Sequence, residues 1–98
     1  MKKRRPAPLT EFDPAKYLDS EKMIAEYLSQ VFEAGDPEEI RVAVGNVARA
    51  RGFAGIASAT GLGRESLYKT FAPGTKPRWD TMMRIVSALG VRLAVKGR

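Results

Sequence analysis

A short run of charged and hydroxyl-bearing side chains between Gly63 and Phe71 could recognise a polyanion. Arginine can bridge O6 and N7 of guanine, and glutamate can accept a hydrogen bond from the N4 amino group of cytosine. Hydroxyl, phenol and ammonium groups can form hydrogen bonds with phosphates or base edges. The candidates for these contacts are Arg64, Glu65, Ser66, Tyr68, Lys69 and Thr70. Lys76 and Arg78 follow in the next predicted loop, where they are candidate phosphate contacts.

The residues on which most enzymes and metal sites depend are missing. The sequence has no cysteine and no histidine, which excludes disulfides, thiolate zinc sites, thiol nucleophiles and the usual general base near neutral pH. The acidic residues come without a partnering base or metal-ligand spacing, and the GLG at 61–63 is too short for a phosphate-cradling loop. We therefore expect no enzyme activity, no metal and no other cofactor.

Length and charge also favour a binding protein. The 98 residues suffice for one small domain, and 17 Lys and Arg against 11 Asp and Glu give a net charge of +6. The charge is divided along the chain, with +4 in residues 1–10, −7 in residues 11–39 and +9 in residues 40–98. An acidic face that only aids solubility is the alternative, but the division favours two different partners.

The sequence pattern predicts neither a membrane span nor a secretion signal. The sequence lacks an apolar run of about 18 residues for a membrane span, and its N-terminus lacks the apolar core of a signal peptide. We expect a cytoplasmic protein without membrane contact. Residues 1–10 are predicted to be a flexible basic tail, with a phosphate-binding arm as the alternative, and residues 11–98 a single helical domain.

Helical periodicity dominates residues 20–89 and predicts five helices. The first has one apolar stripe and ends at Gly35. The second begins at Asp36, an N-cap followed by a proline, and ends at Gly52. The third and fourth are expected over about 53–60 and 64–72. The fifth has an inner face formed by Met82, Ile85, Val86 and Leu89.

The third and fourth predicted helices have the pattern of a helix-turn-helix. Ala57 is small where the two helices would cross, and Gly61 tolerates the positive φ of the turn. Leu62 and Leu67 would fill the angle between the helices. The alternative is an ordinary helical hairpin, but the polar outer face of the second helix favours DNA recognition.

Residues 91–96 alternate apolar and small or basic side chains, which predicts a short C-terminal strand. A single strand needs the edge of another strand to bond its backbone N–H and C=O groups, and a second copy of the chain would provide that edge. We expect a homodimer, formed through the fifth helix and this strand or through the N-terminal helices. Trp79 and Met83 are candidates for an exposed apolar seam, although we expect Trp79 to cap its own core.

The sequence resembles a known family over about residues 12–94. It is similar to the short HigA-like addiction-module antidotes, the antitoxin partners of RelE/HigB-type toxins. The similar segments, in order, are FDPAKYLDSEKMIAEYL, GDPEEI, VARARG, ATGLGRESLYKTF and PRWDTMMRIVSALGVRL. The resemblance implies an all-α, five-helix domain of the phage-repressor (lambda-repressor-like, Xre) type. Such a domain binds the double-stranded operator of its own operon, and the protein neutralises a small mRNA-cleaving toxin.

The resemblance assigns the DNA-facing role to residues 64–70, with two departures from the family pattern. Gly63 stands where a Ser or Thr N-cap is common, and Phe53 stands where many such repressors have a phosphate-contacting Gln. Toxin contacts follow no shared motif, so charge alone places them in the acidic segment. The candidates are Phe12, Asp13, Tyr17, Asp19 and Glu21. Phe12, Tyr17 and Leu18 are the candidate apolar anchors of this contact, and folding back onto the domain is the alternative for Phe12 and, more so, for Leu18.

Two other functions would use the same residues. A stand-alone phage-type repressor without a toxin would share every DNA-facing residue but leave the acidic segment without a partner. An RNA-binding or protein-binding adaptor is the second alternative, because a helix-turn-helix scaffold does not fix function. A neighbouring gene for a small basic protein would favour the antitoxin over the stand-alone repressor.

Overall fold

A computed structural model describes residues 20–98, and over these residues it contains five α-helices. Their bounds are α1 Glu21–Ala34, α2 Pro37–Arg51, α3 Phe53–Thr60, α4 Arg64–Thr70 and α5 Trp79–Ala88. The prediction of an all-α chain with five helices is confirmed for this part, with α4 ending two residues earlier than expected. No helix among them is both long and apolar enough to span a membrane. The predicted basic tail lies outside the described residues.

Local sequence accounts for the ends of the two long helices. The side chain of Ser20 caps α1 by accepting from the Met23 N–H at 3.2 Å. Gly35 ends α1 in the left-handed conformation, with φ of 84°. Asp36 caps α2 by accepting from two backbone N–H groups of its first turn, at 2.9 and 3.4 Å. The predicted stop at Gly35 and start at Asp36 are therefore confirmed.

All five helices contribute buried side chains to one core. Full burial of a valine, leucine or isoleucine side chain stabilises a fold by roughly 1.5–3 kcal/mol. Helix α1 packs on α2, whereas α3 contacts α2, α4 and α5. Helix α3 therefore connects α4 to the rest of the molecule. The largest fully buried side chains are Ile24, Val44, Val47, Leu67, Ile85 and Leu89.

The predicted strand over residues 91–96 is wrong. No strand is present among residues 20–98, and residues 91–98 form no backbone hydrogen bond with the described part of the chain. The reason is that a segment becomes a strand only beside another edge, and residues 20–98 of a single chain offer none. Val91 and Leu93 instead pack against the core, and the Lys96 Nζ lies 3.5 Å from the Glu33 Oε2 on α1.

Trp79 does not cap the core, so that expectation is also wrong. It is the first residue of α5, and 67% of its surface is exposed. The inner face of α5 begins further along the helix, where Met82 packs against the core and Ile85 is fully buried. Trp79 and the partly exposed Met83 stand four residues apart on α5, as the alternative of an exposed apolar seam requires.

Candidate nucleic-acid interface

A three-residue turn that begins at Gly61 joins α3 to α4. Gly61 has φ of 77°, and its N–H donates to the Ala57 carbonyl at 2.9 Å. The Thr60 hydroxyl donates to the Ile56 carbonyl at 2.7 Å and accepts from the Leu62 N–H at 3.2 Å. Because these bonds tie the turn to the last turn of α3, the start of α4 has a defined position relative to α3.

The apolar residues at this turn have the burial that the sequence predicts. Ala57 and Leu62 are half-buried and pack against the core, while Leu67 is completely buried. Gly61 has the predicted positive φ. The four positions that suggested two crossing helices therefore behave as expected in conformation and burial.

Most of the surface of α4 faces solvent. Leu67 is its single buried residue, and the residues around it in the helix are turned outward because successive positions differ by about 100°. Tyr68 is 58% exposed. Its ring contacts the Phe53 ring edge to face, with 4.8 Å between the two centroids. The exposed candidates on α4 are Arg64, Glu65, Ser66, Tyr68 and Lys69.

Thr70 differs from the other five candidates on α4. It is half-buried, and its hydroxyl donates to the Ser66 carbonyl at 2.7 Å. Its own carbonyl accepts from the Thr75 hydroxyl at 2.7 Å. Since its only hydroxyl proton is used inside the helix, Thr70 has less capacity to contact a base edge than its neighbours have.

The two candidate phosphate contacts in the loop after α4 are both exposed. Arg78 forms a forked contact with Asp80, at 3.1 Å from Nε to Oδ1 and 3.3 Å from Nη2 to Oδ2. An exposed pair of this kind contributes about 0–1 kcal/mol, so a phosphate can compete with Asp80 for the guanidinium. Lys76 precedes Arg78 on the same loop, which gives the loop two cations near the end of α4.

Phe53 has a different role from the glutamine that the family pattern suggested. Its half-buried ring contacts Tyr68 and also stacks on Phe71, at 6.1 Å between centroids. The position therefore supplies an aromatic anchor between α3 and the end of α4. A phosphate contact by the side chain is not available here, because an aromatic hydrocarbon ring has no hydrogen-bond donor.

The end of α4 is also held by α2, through Arg41, for which no role was predicted. Arg41 Nη1 donates to the Phe71 carbonyl at 2.6 Å, and Nη2 contacts the Glu38 carboxylate. A signal was present in the sequence. Arg41 stands three and four residues before the buried Val44 and Gly45, which places it on the apolar stripe of α2.

Comparison with known proteins identifies the family. The family model described as "Probable addiction module antidote protein" matches residues 8–97. The chain belongs to this antidote family. A protein of Haemophilus influenzae, described only as uncharacterized, is 36% identical over 88 residues, which cover 90% of this chain and 91% of that protein. No solved structure gives a significant match.

Family membership confirms the resemblance to addiction-module antidotes. An antidote acts against a toxin, so membership implies a toxin as a partner. Among the five residues predicted to contact the toxin, the structure describes one, Glu21, in the exposed first turn of α1. Its carboxylate lies so close to Gly90 that a Cβ there would be 2.7 Å from Oε2. The other four, Phe12, Asp13, Tyr17 and Asp19, lie outside the described residues.

Proposed function

We propose that this antidote is the DNA-binding antitoxin of a type II toxin–antitoxin module. It binds the operator of its own operon as a homodimeric autorepressor, and it neutralises a RelE/HigB-type toxin by protein contact. The observation that carries the proposal is the surface of α4, where only Leu67 is buried and the exposed residues can bond bases and phosphates. The proposal requires no cofactor and no catalytic group.

The geometry around α4 supports a helix-turn-helix of the phage-repressor type. In that motif the second helix enters the major groove of DNA, while the first helix lies behind it and crosses the DNA backbone. Helix α3 suits the supporting role because it contacts α2, α4 and α5 and makes a short, hydrogen-bonded turn into α4. Helix α4 suits the recognition role because its outward side chains lie at the surface of the basic part of the chain.

The distribution of charge supports two separate binding surfaces. Residues 40–98 carry +9, and Lys69, Lys76 and Arg78 lie at or after the end of α4, where phosphates would flank the groove. Residues 11–39 carry −7, which would attract a basic nuclease that the DNA-binding part repels. The toxin contacts proposed for this segment are Phe12, Asp13, Tyr17, Asp19 and Glu21, of which the aromatic residues would be anchors.

The first experiment tests DNA binding. Fluorescence anisotropy compares DNA from immediately upstream of the gene with shuffled DNA of the same length and composition, over a range of salt concentrations. We expect at least about a thousandfold preference for the upstream DNA, and affinity that falls steeply with salt for both. Equal affinity for the two DNAs would contradict operator recognition.

The second experiment tests toxin neutralisation. The chain is co-expressed with the product of the neighbouring gene, and copurification and the recovery of growth are measured. We expect a stable complex and relief of growth arrest. Operator binding without a complex would instead support the alternative, a stand-alone phage-type transcriptional repressor, which needs the same α4 surface but no acidic partner face.

A further inference from the structure

Arg41 is a charged side chain in the core-facing stripe of α2. Its side chain is only 6% exposed, and no other charged residue is buried among residues 20–98. The guanidinium bonds the Phe71 carbonyl and the Glu38 carboxylate, while its Nε is buried without a hydrogen-bond partner in the described part of the chain. Arg41 therefore has two directed contacts and one unmet donor.

Stability alone does not account for a guanidinium at this place. Removal of a charge from water is unfavourable, and the unmet Nε adds to that cost. Glu38 is largely exposed, so its attraction to Arg41 is weakened by solvent. An unbranched apolar side chain such as methionine could fill the same space without the desolvation of a charge.

The contact with Phe71 fixes the end of α4. Phe71 is the C-cap of this helix, and its carbonyl is one of those that the helix itself leaves unbonded. Hydrogen bonds of the turn hold only the start of α4, and the anchors further along the helix are apolar: Leu67, and the Phe71 ring against Phe53 and Gly45. Apolar contacts tolerate sliding and rotation, whereas a hydrogen bond to a carbonyl has a preferred direction. Arg41 thus provides a directional constraint on α4.

We infer that Arg41 is a positioning residue that sets the orientation of α4 and so controls DNA sequence specificity without touching DNA. The inference rests on the proposed operator binding. Bonds to base edges require side chains on α4 to be held within a fraction of an ångström, whereas long lysine side chains can follow a displaced phosphate. Loss of Arg41 should therefore weaken binding to the operator more than binding to unrelated DNA.

The test compares Arg41→Met with Arg92→Met in the full chain. Both changes remove one positive charge, but Arg92 is an exposed residue of the C-terminal segment and contacts neither α4 nor its loop in any hydrogen bond described. Dissociation constants for operator and shuffled DNA are measured at one salt concentration, well below the unfolding temperature. We expect Arg41→Met to reduce the operator preference by at least about tenfold and Arg92→Met to leave it unchanged.

A structural role alone would change the melting temperature but not the operator preference of the folded protein. Amide NMR shifts provide a second measurement, and we expect the Arg41→Met changes to centre on residues 64–72. An unchanged preference in folded Arg41→Met would overturn the inference. If Arg41→Met does not fold, Arg41→Leu replaces it, because leucine is also apolar and cannot donate to the Phe71 carbonyl. A reduced preference then supports the inference and an unchanged one overturns it.

The wild-type measurement separates this inference from the proposed function. A wild-type chain with no operator preference would refute operator recognition itself. A wild-type preference that a folded Arg41→Met or Arg41→Leu variant retains would refute only the positioning role of Arg41.

Discussion

At the scale of single residues, Leu67 decides which side chains of α4 face solvent and could contact DNA in the proposed function. It is completely buried, so the residues one position before and after it point away from the core. Arg64 stands at the first position of the helix, where the N-terminal residues of a recognition helix contact bases. Lys69 stands in the last turn, where a cation also suits the helix dipole.

Replacement of Arg64 by alanine tests base recognition. If Arg64 bridges a guanine, the change should weaken operator binding by roughly 1–3 kcal/mol and binding to shuffled DNA by much less. Anisotropy titrations with both DNAs measure the difference. Equal losses on the two DNAs would show that Arg64 contacts only a phosphate.

Replacement of Lys76 by alanine tests the phosphate contacts in the loop after α4. We expect weaker binding to operator and to shuffled DNA alike, because a phosphate contact reads no sequence. The slope of log affinity against log salt should fall by about 0.9 for the one contact removed. Titrations at four or more salt concentrations provide that slope, and an unchanged slope would place Lys76 away from the DNA backbone.

At the scale of helices, α2 and the end of α4 approach closely because Gly45 lacks a side chain. A Cβ at Gly45 would lie 3.1 Å from the Phe71 Cγ and Cδ1. Phe71 cannot easily move away, since its backbone carbonyl bonds Arg41 and its ring stacks on Phe53. The contact between these two helices therefore depends on a glycine inside α2, where helix propensity would favour almost any other residue.

Two glycine-to-alanine changes separate this packing effect from helix propensity. Gly55→Ala in α3, where nothing lies within 4 Å of the added Cβ, should stabilise the protein by about 0.5–1 kcal/mol. Gly45→Ala gains the same propensity but crowds Phe71, and we expect a net loss of about 1 kcal/mol. Urea unfolding measures both. Equal stabilisation by the two changes would mean that Phe71 can shift freely.

At the scale of the whole molecule, the proposed function needs two partners and two surfaces. The basic part contains α4 and its loop, and the acidic part contains α1 and the start of α2. One recognition helix reads only a few base pairs, so a two-fold pair of chains would double the sequence that is read. Trp79 and Met83 remain exposed in the single chain, and exposed apolar patches are common at interfaces.

We predict a homodimer on a palindromic operator. The half-sites should lie about 34 Å apart or at a multiple of that distance, because the two recognition helices must enter the groove on one side of the duplex. Light scattering of the free protein and of its DNA complex measures the stoichiometry. A monomer in both states, with one chain for each site, would contradict the prediction.

We also predict that the acidic segment, and not α4, contacts the toxin. A chain without residues 1–19 should keep operator binding, since α4 and the buried side chains that support it lie within residues 20–98. It should lose much of its toxin affinity, because it lacks Phe12, Asp13, Tyr17 and Asp19. Full-length Arg64→Ala is the matched control and should bind the toxin normally. Full neutralisation by the shortened chain, together with its loss in Arg64→Ala or Lys69→Ala, would place the toxin on the basic part.

Local sequence was sufficient for the helices and for the outward face of α4. Gly35, Asp36 and Gly61 mark helix ends through their own backbone conformations or side-chain bonds, which involve only nearby residues. The apolar spacing around Leu67 placed five of the six candidate DNA contacts on α4 on the solvent side for the same reason, since helical period is a property of the segment itself. These features needed no knowledge of distant parts of the chain.

Only the tertiary structure decided the state of residues 91–96, the exposure of Trp79 and the role of Arg41. A strand needs a second edge, and the described chain offers none to residues 91–96. Trp79 shares the apolar character of α5 but is left exposed at the beginning of that helix. Arg41 is buried because its face of α2 meets Phe71, thirty residues later in the chain. Each outcome depends on contacts between distant segments, and local periodicity contains no information about which distant segment arrives.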